Sequence, residues 1–346
     1  MSELSVTDYL ILGILSLFLV GGLTPVMQLV AKRFGVIDRP SESHKTHHKP
    51  VPYLGGVAIA VGVVTVTYLA SLASNFNRGS FLLASSVLVP AIVMGVVGLI
   101  DDIRKLSPWP RFIIQSGFGV VISFLLVSTN TLGSPFGNHL IDIPITVLWI
   151  VGITNSINFL DNVDGGASGV VAISAMFLFV LSWQGGQFLI AALSIVLAGA
   201  TLGFLLWNRP PARIYMGDAG ALFLGILLAS LTIRFNPSPI DRIASFAVPF
   251  LLLAVPILDT SVAVISRLRR GISPLQGGKD HLSHRLMRSK FTKRQAVSIL
   301  WILSIFFGAI AIVVSLAPFS LEREIVYLAL ICWLIAFMIF SKLSDS

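Results

Sequence analysis

Four side chains at every third position, Asn155, Asn158, Asp161 and Asp164, close an apolar run with amides and carboxylates and lead directly into Gly165 and Gly166. Ionisable groups inside a membrane-like run cost roughly 2.5 to 3.5 kcal/mol each on insertion scales, so their presence asks for a function. In an α-helix a three-residue step drifts by about 60° and spreads the set over half a turn, whereas a tightened 3₁₀-like end would align it. A plain helix cap needs one such side chain rather than four. The two glycines stop the helix and admit a close approach of backbone or ligand.

Further chemistry-bearing residues recur along the chain. Asp101 and Asp102 precede Arg104 and Lys105, and Asp218 stands between Gly217 and Gly220. Carboxylates from three segments, set beside cations, suit phosphates and a hard divalent ion, Mg²⁺ or Mn²⁺ in its place, that shares its shell between one or two carboxylates and substrate oxygens. Asp101 and Asp102 diverge by about 100° on a helix, so two roles are open to the pair. One is a metal or its waters; the other is a proton, or the positioning of Lys105 and Arg104. A solvated turn is the bland alternative. For Asp218 the bland alternative is a carboxylate favoured by the helix dipole, but a plain cap does not need glycine on both sides. Asp259 lies inside an apolar run, where ion pairing and catalysis are equally open.

His281 and His284, with Asp280 and Arg285, make an incomplete zinc site, since two histidines without a thiolate fall short of four ligands. Contact with a nucleotide phosphate or ribose fits better. The loop from His44 to Gly56 brings Lys45 and His47 to the membrane boundary. Anionic headgroups alone would attract it, at roughly 1 kcal/mol per basic residue, but Pro50, Pro52, Gly55 and Gly56 hold it more rigidly than a tether requires.

The elements positioning these residues are membrane spans. Of 346 residues 55% are hydrophobic and 12% charged, and mean hydropathy is +0.90. The expected fold is an all-α polytopic transmembrane bundle of about eleven spans. They are Tyr9–Ala31, Tyr53–Ala73, Phe81–Ile100, Phe112–Ser128, Ile143–Leu160 and Ala167–Trp183, then Phe188–Trp207, Ala219–Arg234, Ile243–Ser266, Ala296–Leu316 and Ile325–Ser341. The first is not expected to be a cleaved signal, because Glu3 and Asp8 replace a basic leader and the apolar core is too long. Alternate connections collect nearly all of the 24 Lys and Arg residues, leaving Arg78, Arg234, Arg242 and Arg323 for the other side. The N-terminus is therefore expected outside and the C-terminus in the cytoplasm. The clustered acids and histidines then fall at the cytoplasmic face. The net charge of +8 reports this topology rather than a nucleic-acid partner. Cys332 is the single cysteine, which excludes an intrachain disulfide.

Asp101-Asp102-Ile103-Arg104-Lys105, Asn158-Phe159-Leu160-Asp161-Asn162-Val163-Asp164-Gly165, Met216-Gly217-Asp218-Ala219-Gly220 and His281-Leu282-Ser283-His284 occur in an order and spacing that resemble the polyprenyl-phosphate N-acetylhexosamine-1-phosphate transferases. Lys45-Thr46-His47, Pro50, Pro52, Gly55 and Gly56 add a fifth motif. The resemblance covers about residues 38–295 of what reads as one domain over 1–346, with two further spans in 296–346 completing the bundle. It implies an Mg²⁺-dependent enzyme of a bacterial plasma membrane that moves a sugar-1-phosphate from a UDP-sugar to undecaprenyl or another polyprenyl phosphate, releasing UMP. Asp101, Asp102, Asp161 and Asp164 would be catalytic, with Asp218 and Asp161 as metal ligands. Lys45, His47, Lys105, Asn155, Asn158, His281, His284 and Arg285 would contact substrate. A homodimer is left open.

Two departures stand out. Gly166 replaces a bulky apolar residue common in the family and is expected to loosen the turn. Leu282-Ser283 interrupts the histidine run of the N-acetylmuramoyl-pentapeptide branch, which favours UDP-N-acetylglucosamine as donor. A transporter is the rival class, but transporters place substrate groups near the midplane between related halves, and here the acids gather at one face.

Overall fold

The computed structural model describes residues 5–38, 50–73, 78–104, 108–128, 138–237, 241–274 and 278–343; the expected substrate contacts Lys45, His47 and Lys105 lie outside them. Helices α1 (Val6–Phe34), α2 (Gly55–Ala73), α3 (Arg78–Arg104), α4 (Pro108–Ser128), α5 (His139–Leu160) and α6 (Gly166–Gln184) lead into α7 (Phe188–Asn208), α8 (Gly217–Arg234), α9 (Arg242–Leu252) and α10 (Ala254–Arg269). The chain closes with the short α11 (Leu282–Arg288), α12 (Lys293–Leu316) and α13 (Phe319–Lys342). A two-residue antiparallel ladder pairs β1 (Ile37–Asp38) with β2 (Val51–Pro52).

Local chemistry sets several boundaries. Ser5 and Asp8 form a capping box at the start of α1, and Gly35, at φ 70°, ends it. Thr292 and Gln295 repeat the box at α12, satisfying backbone donors that a first turn leaves orphaned. The middle of the bundle is α8, buried along nearly its whole length and packed against α2, α3 and α5. Phe18, Leu29 and Leu328 on α1 and α13 face outward, an arrangement costly in water and natural in lipid.

Among the described residues nine helices are long and apolar enough to cross a membrane, and a tenth span results if α9 and α10 cross as one. Two differences from the expected eleven have local causes. The apolar stretch described in α4, Phe112–Leu126, is shorter than a span. The expected ninth span is broken by 79° between Leu252 and Ala254. Pro256 follows the break within the first turn of α10, where its missing N–H is tolerated, while its ring would clash with the carbonyl of Leu252 in a continuous helix. Asp259 therefore sits just beyond a bend, fully buried.

Candidate active site

The clustered residues meet where the ends of α3 and α5 abut the start of α8. Met216 precedes α8 without a side-chain cap, and the cap comes from another helix: Asp102 Oδ1 accepts from Asp218 N at 2.9 Å and Oδ2 from Ala219 N at 3.1 Å. Gly217, at φ 70°, makes this possible, since a Cβ there would lie 2.5 Å from Asp102 Oδ2. The same turn is pressed on α2, where a Cβ on Gly56 would fall 2.1 Å from Gly220 N. Gly55 N and Gly56 N donate to Tyr215 O and Met216 O, each at 3.0 Å, and Tyr215 N donates to Pro52 O at 2.9 Å. The ladder β1–β2 is thus bonded to the loop segment leading into Asp218, and residues 39–49, which carry Lys45 and His47, connect its two strands in sequence.

From α5, Asn158 Nδ2 donates to Asp218 Oδ1 at 2.6 Å. The helix tightens as it ends, with Asp161 N shared between Ile157 O at 3.2 Å and Asn158 O at 3.3 Å. The four residues spaced by three nevertheless part. Asn155 bonds back to Val151 O at 2.8 Å, Asn158 reaches Asp218, and Asp164 turns to Ala212 N at 3.0 Å and Lys293 Nζ at 3.2 Å. Asp161 is left among acids: burial first, then the charges of Asp218, Asp102 and Asp164, push its carboxyl well above the usual carboxylate range. Asp101 is buried on α3, and Asp102 and Asp218 are half-buried.

The turn after Asp161 is tight, which corrects the loosening expected at Gly166. Gly166 N donates to Val163 O at 2.9 Å, and a Cβ on Gly166 would meet Val163 Cγ1 at 2.7 Å. Glycine here permits the closed turn. Asn208 Oδ1 holds the turn by accepting from Gly165 N and Ser168 Oγ, each at 2.9 Å, and Trp301 Nε1 of α12 donates to Gly165 O at 3.1 Å.

The histidine loop packs against this region through side chains. His281 Nδ1 lies 2.7 Å from Asp259 Oδ2, and its Nε2 lies 3.1 Å from Arg267 Nη2. A guanidinium only donates, so Nε2 accepts and Nδ1 carries the proton given to Asp259. Both ring nitrogens of His281, expected at substrate, are engaged within the protein. Arg267, itself buried, also donates to Asp280 Oδ2 at 3.2 Å and to Pro274 O at 2.8 Å, and lies over the Phe159 ring. Ser283 Oγ bonds Asn162 Oδ1. His284 is nearly buried, and burial, followed by the neighbouring His281, pushes its imidazole down to about 4. Arg285 is buried too and donates to Asp280 O at 2.7 Å and Phe340 O at 3.1 Å, tying the loop to the end of α13.

Lys293, Asn208 and Tyr215 join the site without having stood out in the sequence. Only Lys293 carries a signal there: a cation at the first position of a helix opposes the dipole, unless a carboxylate such as Asp164 receives it.

The glycosyl transferase family 4 model matches residues 84–236, the span holding Asp102, Asn158, Asp161, Asp164 and Asp218. A probable undecaprenyl-phosphate N-acetylglucosaminyl 1-phosphate transferase of Bacillus subtilis (strain 168) is 35% identical over 323 residues, 92% of this chain and 88% of that protein. A decaprenyl-phosphate N-acetylglucosaminephosphotransferase of Mycolicibacterium smegmatis is 35% identical over 82% of this chain and 77% of its own length. A phospho-N-acetylmuramoyl-pentapeptide-transferase of Streptococcus pyogenes is 34% identical over 54% of this chain and 59% of its own.

Proposed function

Because the chain belongs to glycosyl transferase family 4, the polyprenyl-phosphate N-acetylhexosamine-1-phosphate transferases, we propose that it transfers N-acetylglucosamine-1-phosphate from UDP-N-acetylglucosamine to undecaprenyl or a related polyprenyl phosphate. An oxygen of the lipid phosphate attacks the phosphorus bearing the sugar, the bond to the inner phosphate of the nucleotide breaks, and UMP leaves. The product would begin a lipid-linked cell-wall or surface polysaccharide. The donor assignment draws on relatives named for N-acetylglucosamine matching over most of the chain, against 54% for the muramoyl-pentapeptide enzyme. The basic-residue asymmetry supports an active site at the cytoplasmic face of the plasma membrane.

The observation that carries the reading is Asp218, held between two other helix ends by Asp102 at its backbone and Asn158 at its side chain. The donor set there is all oxygen, as Mg²⁺ or Mn²⁺ prefers. No group of three His, Cys, Asp or Glu forms a closed metal cage among the described residues. An open site of one or two carboxylates completed by substrate phosphate fits that arrangement. Asp218 and Asp161 would hold the ion, which would screen the repulsion between two anionic reactants. Asn158 orients Asp218. Asp102, with both oxygens engaged by backbone N–H groups, positions α8. Asp101 is then the remaining candidate base for a singly charged lipid phosphate; a dianion needs none. Lys45 and His47 would receive that phosphate.

The test is purified protein in detergent with undecaprenyl phosphate, Mg²⁺ and either UDP-N-acetylglucosamine or UDP-N-acetylmuramoyl-pentapeptide, scored by UMP release with and without chelator. Chelator-sensitive UMP from the first donor is expected. UMP from the second alone would reassign the branch, and none from a wide donor panel would overturn the proposed activity.

A further inference from the structure

A second charged feature lies beside the carboxylate cluster. Where α10, α11 and α13 converge, a crevice of about 210 Å³ is lined by Arg269, Arg270, Arg285 and Arg288 with one acidic residue, Asp280. Asp102, Asp161 and Asp218 are absent from its lining. Asp280 is already committed: Arg267 donates to one of its oxygens and Arg270 pairs with the other. Arg269 and Arg288 are exposed and make no hydrogen bond or ion pair among the described residues. The crevice therefore presents an excess of positive charge that the protein does not neutralise.

The rest of its lining is mixed: Val262 and Ile265 of α10 are apolar, and Ser266 and Ser341 are small hydroxyls. On α13, less than two turns before Ser341, Leu334, Ile335, Met338 and Ile339 are exposed, continuing outward as a surface suited to hydrocarbon. A soluble anion would use the arginines and leave this strip bare, whereas an anionic lipid uses both. Basic pockets at the ends of membrane helices are suited to anionic headgroups by the same logic, and arginine, through its planar fork, is the cation that matches a phosphodiester.

We propose that this crevice binds the phosphodiester headgroup of an anionic membrane phospholipid, with its acyl chains along the outer face of α13. The bound headgroup bridges α10, α11 and α13, joining the last helix to the loop that carries His281. Arg285, which links that loop to Phe340 O, provides the protein's own part of the same connection.

The test uses the full chain in a zwitterionic detergent, titrated with short-chain phosphatidylglycerol, short-chain phosphatidylcholine and inorganic phosphate, with binding read by native mass spectrometry and tryptophan fluorescence. Saturable binding of phosphatidylglycerol is expected, with phosphatidylcholine and inorganic phosphate much weaker. Arg269→Gln with Arg288→Gln should weaken it by about thirtyfold, the combined strength of two arginines at an acidic surface. Ile265→Trp, which fills the crevice without changing charge, should weaken it as well, keeping the test independent of surface electrostatics. Equal binding of phosphatidylcholine, equal binding by both variants, or inorganic phosphate binding as tightly as the lipid would overturn the proposal. Displacement by equimolar undecaprenyl phosphate would also overturn it, by making the crevice a seat for the acceptor.

Discussion

Two aspartates cap helices at opposite ends of this bundle, and their surroundings differ in one respect. Asp241 caps its own helix, α9, accepting from Ile243 N and Ala244 N, and Arg323 neutralises it. Asp102 caps a foreign helix, α8, and its neighbours are further carboxylates, Asp218 and Asp161. At the Asp241 end the cap is made and a cation is supplied: Arg323 holds the carboxyl below its usual range, and Glu322 Oε2 accepts from Asp241 N at 3.0 Å. The Asp102 end concentrates negative charge instead, and the protein keeps Lys293 for Asp164. A cap plus a cation is a structural device, whereas the cap among acids is where we propose that a divalent ion is held.

The largest expected effect follows from removing one charge at each end. Asp218→Asn should lower UMP release by about a hundredfold or more, in the range of losing a principal electrostatic group, while leaving thermal unfolding nearly unchanged. Asp241→Asn should leave turnover at wild-type level. Asp102→Asn sharpens the contrast further: it should reduce turnover by a similar factor from pH 6 to 9, because a positioning role has no proton to lose. Recovery of Asp102→Asn at high pH would identify Asp102 as a base.

A smaller effect is expected at Lys293, the cation that pairs with Asp164. Lys293→Met should destabilise the protein by about 1 kcal/mol, as a partly exposed pair warrants, and should raise KM for the UDP-sugar more than it lowers kcat. His284 gives a stability effect with a defined window. Its folded pKa of about 4 lies below the ordinary 6.5, so the unfolded chain takes up the proton more readily. Stability is therefore full above pH 6.5 and declines as pH falls to about 4, by up to about 3 kcal/mol. His284→Gln should flatten unfolding temperature against pH across that interval. The smallest effect is expected from Asp241→Asn, a slight fall in unfolding temperature through the weakened exposed ion pair with Arg323.

The long helices are legible in the amino-acid sequence, because span length and hydropathy are properties of contiguous residues. The break between α9 and α10 is less so: Pro249 and Pro256 are visible, but prolines are tolerated inside membrane helices and occur within α1 and α3. Convergence of Asp102, Asn158 and Asp218 is expected from their common membrane face, but the bonds are not, since Asp102 and Asp218 are 116 positions apart and neither shows which helix it caps. The even spacing of Asn155, Asn158, Asp161 and Asp164 misleads in part, because Asn155 satisfies its own helix and only Asn158 and Asp161 stay with Asp218. The histidine loop is recognisably polar, yet the engagement of both His281 nitrogens requires Asp259 and Arg267 to arrive from the far side of the helix break.

The contrast between the two ends is tested most directly by electron paramagnetic resonance of Mn²⁺ titrated into the purified protein with UDP-N-acetylglucosamine and no lipid acceptor. One bound ion per chain is expected in the wild type and in Asp241→Asn, with binding lost in Asp218→Asn and displaced by Mg²⁺. Equal Mn²⁺ binding by Asp218→Asn and wild type, or no bound ion in either, would contradict the account.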